Sequence, residues 1–348
     1  MMSPQIKKDF RFDVWYHPVM AQVFADTPGF ELYTMARDAP KEHILQALRA
    51  SHVYQIPSAR DELPAGWRAD AELLAQLPQL LCISTNGAGY DTVDLEACNR
   101  AGVLVLNQSG ANAQSVAEAA IGLMINCSRR ISESDRRLRL SRGYSREDLM
   151  GAELHDKTLG LVGIGEIGAR VARIAQALGM RVLACDPGLS AQQVRDKGAV
   201  AVGLPTLLAD SDVVSLHCPR LAETLNLMNA ATFAQMRQGA IFINTARGGL
   251  HDEQALYQAL AGGHLGGAGI DVWDQEPPPL DHPLLGLETV VALYHTAGVT
   301  REARQRMGQW AAQQIIEVMT GRAGPRMVNP QVFARFLQRL QGGDHSVL

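Results

Sequence analysis

The sequence predicts an α/β protein of two doubly wound parallel-sheet domains, one flavodoxin-like and one a Rossmann dinucleotide-binding domain. Two observations carry this. Short apolar runs, as expected of strands buried on both faces, alternate with segments of helical period along most of the 348 residues. One glycine-rich fingerprint, at residues 157–187, divides a block that carries it from an earlier α/β block that does not. The length allows two domains, each burying its own core.

In the first block, residues 12–16 read as a strand, 41–50 as an amphipathic helix and 52–56 as a second strand. A polar loop at 57–70 carries Arg60 and Asp61. A helix at 71–77, a strand at 80–84, the loop Thr85-Asn86-Gly87-Ala88-Gly89-Tyr90, a helix from Thr92 and a strand at 103–106 complete the alternation. Without a phosphate-binding fingerprint, this block reads as a substrate domain spanning 1–111. Residues 112–140 read as one long helix, apolar in its first half and studded with Arg in its second, able to bridge two domains. Residues 141–156 form a polar loop, a candidate for reaching a second subunit.

Residues 159–162 then form an apolar strand, followed by Gly163-Ile164-Gly165-Glu166-Ile167-Gly168. Ile167, Val171, Ile174, Ala175 and Leu178 recur at helical spacing, Gly179 ends the helix, and a strand at 181–185 leads to Asp186. Gly163 permits the tight turn, Gly165 lets a pyrophosphate approach the backbone, and Gly168 lets helix and strand pack closely. The pyrophosphate sits on the free N–H groups at the helix start, where Glu166 and Ile167 lie. Asp186, 18 residues past Gly168, is placed to accept hydrogen bonds from the adenosine ribose. Its carboxylate would oppose a 2′-phosphate and Pro187, not Arg, follows it, so the cofactor expected is NAD.

Strands at 213–217, 240–244, 267–271 and 290–292, with helices at 229–236 and 253–261, continue a doubly wound sheet. Pro277-Pro278-Pro279 marks a surface loop. The dinucleotide-binding domain is read as 112–298; the chain then returns to the substrate domain over 299–331, with a helix at 301–320, and 332–348 reads as a tail.

Composition narrows the function. A net charge of −4 supplies no reason to expect a nucleic-acid or membrane partner. The five cysteines, 82, 98, 127, 185 and 218, lack C-x-x-C spacing and read as reduced, mostly buried thiols. The N-terminus has no apolar leader segment, no run approaches a membrane span, and a cytoplasmic location is the default expectation. No metal-ligand cluster is apparent; His155, His251, His264 and His282 read as solvated, and the arginines from 129 to 142 as a solvated face or subunit contact.

Ligands in open α/β sheets sit beyond the carboxyl ends of strands. Three polar segments fall there: Asn244-Thr245-Ala246-Arg247-Gly248-Gly249, Asp271-Val272-Trp273-Asp274-Gln275-Glu276-Pro277, and Tyr294-His295-Thr296-Ala297-Gly298. A His can deliver a proton near neutral pH, a carboxylate beside it favours the imidazolium, and a guanidinium can clamp a substrate carboxylate. Together with GAGYDTVD at 87–94 and VAE at 116–118, and in this order, these segments resemble the D-isomer-specific 2-hydroxyacid dehydrogenases over roughly residues 80–328. The resemblance implies a catalytic set of Arg247, Glu276 and His295, a substrate domain interrupted by the nucleotide domain, and a homodimer built on the nucleotide domains.

Cys218, Pro219, Thr224, Thr245, Ala246, Asp271, Ala297 and Gly298 are read as further cofactor contacts, and Asn86, Gly87, Ala88, Gly89 and Arg60 as substrate contacts. The expected reaction is NAD-dependent interconversion of a D-2-hydroxy acid and a small 2-keto acid. Phosphoglycerate dehydrogenase is the alternative within this chemistry. Formate dehydrogenase of this fold needs no His–carboxylate pair, and an NADH-sensing regulator of the same fold would carry longer tails. Tyr294 departs from the family's usual Pro before the catalytic His, and the 57–70 loop is longer than expected.

Overall fold

The computed structural model describes residues 6–59 and 61–342. The chain folds as two compact units, one made of residues up to Asn112 and from Thr300 onward, the other of Ala113–Val299.

In the first unit the order is β1 (Lys7–Phe12), α1 (Val19–Ala25), β2 (Phe30–Met35), α2 (Lys41–Arg49), β3 (Val53–Ile56), α3 (Ala71–Ala75), β4 (Cys82–Thr85), α4 (Leu95–Ala101) and β5 (Leu104–Leu106). All its pairs are parallel and the strand order is β2-β1-β3-β4-β5, the flavodoxin-like winding. Asp70 and Asp94 cap α3 and α4 by accepting from Leu73 and Ala97 N–H, each bond contributing about 1 kcal/mol.

The first strand lies earlier than the apolar run at 12–16 suggests. Lys7–Phe12 reads as polar, yet it is central because Phe10 and Phe12 fill one core face while Asp9 is also enclosed. α1 and β2 are additional to the segments expected from the sequence pattern. Pro18 gives α1 no side-chain cap, and β2 is a half-exposed edge strand.

The second unit comprises α5 (Ala113–Arg129), α6 (Ile131–Leu140), β6 (Thr158–Val162), α7 (Glu166–Ala177), β7 (Arg181–Cys185), α8 (Ala191–Asp196), β8 (Val200–Ala201), α9 (Leu204–Asp210), β9 (Val213–Leu216), α10 (Ala230–Phe233), β10 (Ile241–Asn244), α11 (Glu253–Ala261), β11 (Gly267–Ile270) and β12 (Val290–Ala292). Its parallel sheet runs β12-β11-β10-β9-β6-β7-β8, the Rossmann winding, with the direction of progression reversing between β6 and β9.

The expected single helix over 112–140 is two helices. Arg130 takes a left-handed conformation (φ 53°) and breaks it. That position is held by side chains rather than by a glycine. The Arg130 guanidinium donates to both Glu133 oxygens at 2.7 and 2.6 Å, and Asn126 bonds the Ser132 side chain and N–H. The apolar half of α5 lies in this unit's own core: Ala117, Ala120, Leu123 and Met124 pack with Leu159, Leu161, Val171 and Ile243.

The chain ends with α12 (Arg301–Met319) and α13 (Phe333–Leu340), both in the first unit. The part of the expected tail at 333–340 is therefore a helix, and Phe336 is fully buried with Ile315, Val318 and Leu106. Buried Asn329 stitches the approach to β5, accepting from Val105 N–H at 2.7 Å and donating to Val103 C=O at 3.0 Å. No helix among the described residues is long and apolar enough to cross a membrane.

Candidate active site

The reversal between β6 and β9 opens a crevice at the carboxyl edge of the second unit's sheet, and the glycine fingerprint lies on it. Gly163 has φ +90°, and a Cβ there would lie 2.8 Å from the backbone of His217 and Cys218 beyond β9. A Cβ on Gly168 would collide with the Gly163 carbonyl, so α7 approaches β6 only because both positions are glycine. Gly165 caps α7 without a side-chain bond, and the space where its Cβ would stand is open. The N–H groups of the first turn are thus left for an anion.

Asp186, just past β7, accepts from Ile164 N–H at 3.0 Å through one oxygen and from Gly188 N–H at 3.1 Å through the other. This ties the carboxylate to the fingerprint turn and leaves each oxygen a further lone pair. The buried Thr245 hydroxyl, at the end of β10, has no partner among the described residues. An uncapped helix start, a tethered carboxylate and an orphaned hydroxyl along one sheet edge fit a dinucleotide. Burial pushes the Cys218 thiol up to about 11 and holds the His217 imidazole down to about 4, so both are neutral here. Thr224 is occupied within its own turn, donating to Pro219 C=O and accepting from Leu221 N–H.

Arg247, Glu276 and His295 all belong to this unit. Asn244, the last residue of β10 and fully buried, accepts from Ala246 N–H at 2.9 Å and donates to Arg247 C=O at 3.0 Å. It sets the backbone from which the Arg247 guanidinium projects, and that guanidinium donates to Ala246 C=O at 2.7 Å. Asp271, past β11, is 1% exposed. Its carboxylate accepts from Thr296 and Ala297 N–H, and its carbonyl accepts from His295 N–H at 2.7 Å. These bonds hold His295 in a left-handed conformation, φ 49°. Its Nδ1 faces Glu276 Oε2 at 2.8 Å, while Glu276 Oε1 accepts from Trp273 N–H at 3.1 Å.

Burial by itself lowers the His295 pKa, but the hydrogen bond and charge of Glu276 outweigh it and the net shift is upward. For Glu276, burial raises the pKa, and the His295 bond, with Arg247 adding its charge, brings it below the ordinary value. The pair can hold a proton on Nε2, the ring nitrogen away from Glu276, and release it there.

The family model described as D-isomer specific 2-hydroxyacid dehydrogenase, NAD binding domain, matches residues 121–297, which takes in the fingerprint and all three of these residues. The chain belongs to that family. Within the D-2-hydroxyacid dehydrogenases, it is similar to a D-3-phosphoglycerate dehydrogenase of Archaeoglobus fulgidus, 40% identical over 254 residues that make up 73% of this chain and 48% of that protein. It thus spans about half the length of that relative. A glyoxylate reductase of Korarchaeum cryptofilum is 37% identical over 266 residues, 76% of this chain and 80% of that protein. The D-lactate dehydrogenase of Aquifex aeolicus, solved with NAD and lactic acid, matches with a TM-score of 0.78 at 27% identity, covering 92% of this chain and 98% of that one. The second unit is accordingly an NAD-binding domain.

The same strand ends carry further supports that the local sequence pattern does not reveal. His251, expected to be solvated, is 1% exposed; its Nδ1 lies 3.0 Å from the Asn244 amide nitrogen and burial lowers its pKa to about 4. A neutral His251 accepts that amide N–H and so locks the orientation of Asn244 beneath Arg247. His282, also expected to be solvated, is half-buried and bonds Glu253 at 3.0 Å, while Glu253 accepts from Asp274 N–H. Asp274 in turn accepts from Gly249 N–H at 2.6 Å, joining the loops that carry Arg247 and Glu276. The one legible signal was Asn244, a polar residue closing an apolar strand.

In the first unit, Asn86 accepts from Ser58 N–H at 2.8 Å, and Asn107 donates to Ala88 C=O at 2.9 Å. These bonds order the loop holding Gly87 and Gly89. Arg60 lies outside the described residues.

Proposed function

We propose that the protein is an NAD-dependent reductase of a small, unphosphorylated 2-keto acid, yielding the D-2-hydroxy acid. The observation that carries this is the 2.8 Å His295–Glu276 pair beside Arg247 at the sheet edge that also bears the dinucleotide fingerprint. Bound NADH supplies the hydride. His295 donates the proton to the carbonyl oxygen, Glu276 holds the ring and favours its charged form, and Arg247 clamps the substrate carboxylate through two parallel hydrogen bonds. The Asn86–Gly89 loop of the first unit is proposed to meet the same substrate.

An unphosphorylated substrate is favoured by the surroundings of that loop. Ser84 and Thr85 are buried and uncharged, and Asn86 Nδ2 lies 3.4 Å from the Glu62 carboxylate, which would oppose a phosphate. Steady-state kcat/KM with NADH for glyoxylate, hydroxypyruvate, phenylpyruvate and 3-phosphohydroxypyruvate tests the reading. A clear preference for the phosphorylated acid overturns the substrate class, and turnover of none of them points to the sensor alternative.

Asp186 is proposed to select NAD. Asp186→Ser should weaken NADH and narrow its advantage over NADPH by about tenfold or more, because the like charge facing a 2′-phosphate is gone. A wild-type preference for NADPH would remove this role.

Glu276 is proposed to set the pH range. Reduction needs the imidazolium, and Glu276 raises the pKa of His295. Glu276→Gln removes the negative charge, so kcat/KM for reduction should fall off at lower pH than in the wild type. An unmoved alkaline limb would mean that the limb belongs to another group.

A homodimer through the nucleotide domain is supported by the exposed apolar side chains of Leu138, Leu140 and Met150 on α6 and the segment after it, which are 61%, 83% and 69% accessible. A cytoplasmic location is supported by five free cysteines.

A further inference from the structure

The loop that carries Arg247 is closed across its base by a side-chain bond. Asn244, at the end of β10, and His251, seven residues on, are 0% and 1% exposed, and the His251 Nδ1 lies 3.0 Å from the Asn244 amide nitrogen. Backbone pairing fixes the His251 end: Met228 N–H donates to Leu250 C=O at 3.0 Å, and Asp252 N–H to Met228 C=O at 2.8 Å. The imidazole stands against the Phe242 ring, with centres 5.5 Å apart. Between its tied ends the loop meets the segment that leads to Glu276. Gly248 lies against the Trp273 carbonyl with no room for a Cβ, and Gly249 N–H donates to Asp274.

The neighbours settle the direction of the Asn244–His251 bond. Asn244 Oδ1 accepts from Ala246 N–H, so turning the amide over would set N–H against N–H. Its Nδ2 therefore donates twice, to Arg247 C=O and to His251. His251 accepts through Nδ1 and carries its proton on Nε2, and burial keeps it neutral by lowering its pKa to about 4. That Nε2 is buried and has no hydrogen-bond partner among the described residues. A bare buried N–H is destabilising, and an apolar side chain would fill the same space without one. Stability alone thus gives no reason for an imidazole here. Its hydrogen bond goes to the residue that sets the backbone of Arg247.

We propose that His251 is a positioning residue for substrate: its bond to Asn244 holds the Arg247 loop in the conformation that clamps the substrate carboxylate. This rests on the reductase reading above, in which Arg247 is the clamp, and names what keeps that clamp in place. Every residue involved belongs to the second unit.

Oxamate, an unreactive analogue of a 2-keto acid, reads the clamp without turnover. Its Kd for the enzyme–NADH complex, followed by NADH fluorescence, is compared in the wild type, His251→Leu, His251→Phe and His251→Asn. Leu and Phe fill the space without an acceptor and should weaken oxamate about tenfold, with NADH affinity unchanged. Each removes the bare Nε2–H and leaves one Asn244 N–H bare instead, so the melting temperature should change little. Asn, whose Oδ1 can stand where Nδ1 stands, should recover most of the affinity. In steady state the loss should fall on KM for glyoxylate more than on kcat. On an Arg247→Lys background, His251→Leu should add little, because the fork it positions is gone.

Retained oxamate affinity in the Leu and Phe variants, or an equal loss in the Asn variant, would overturn the proposal. So would a loss shared with NADH, or failure of both apolar variants to fold, since either makes His251 structural. If the wild type does not bind oxamate, or Arg247→Lys leaves binding intact, the clamp reading fails and the proposal with it. If Arg247→Lys weakens oxamate and the His251 variants do not, the clamp stands and His251 has no part in it.

Discussion

Replacing His295 with Asn is expected to lower kcat for keto-acid reduction by about 10²–10⁴-fold while NADH still binds. Asn suits the test because the backbone at 295 is left-handed (φ 49°), where Asn is tolerated better than most residues. The variant should keep the loop that Asp271 holds through His295, Thr296 and Ala297 N–H and lose only the proton donor. Because the imidazole meets Glu276 through Nδ1, the proton to be donated sits on Nε2, and no amide side chain supplies an acid of comparable pKa. NADH oxidation measures turnover, and quenching or enhancement of NADH fluorescence measures cofactor binding. A near-wild-type rate would take His295 out of the chemistry. Loss of NADH binding would mean that the substitution had damaged the nucleotide site instead.

Arg247→Lys is expected to cost about 10²–10³-fold in kcat/KM, although the charge is retained. An ammonium cannot form the planar two-bond clamp on a carboxylate. The substitution separates geometry from electrostatics, because Arg247 also lowers the pKa of both Glu276 and His295 through its charge. A lysine in its place should leave the pH profile close to that of the wild type while the rate collapses. The backbone beneath should persist, since Asn244 holds it through the residue 247 carbonyl rather than the side chain. Unchanged kcat/KM would show that the carboxylate is held elsewhere. A collapse with a large shift of the pH profile would show that charge, not the fork, was the contribution lost.

The amino-acid sequence by itself determined the dinucleotide fingerprint, because it is one contiguous unit, and it offered the three residues of the proposed catalytic trio from separate strand ends. The Gly163–Gly168 turn, the helix after it and Asp186 at the next strand end form one local unit, whose backbone requirements are written as glycines. Arg247, Glu276 and His295 were legible because each follows a short apolar strand in a parallel sheet, where the carboxyl ends line up along one edge.

Only the tertiary structure decided what depends on distant partners. The helix break at Arg130 carries no glycine or proline; it is held by Asn126, Glu133 and the carbonyl of Asp148. Lys7–Phe12 is a central strand despite its charges because β2 and β3 flank it, and residues 333–340 are a helix because they cover an apolar face of the first sheet. His251 reads as one more loop histidine until β10 places Asn244 against it. Burial there keeps the imidazole neutral and makes it an acceptor, which no local pattern records.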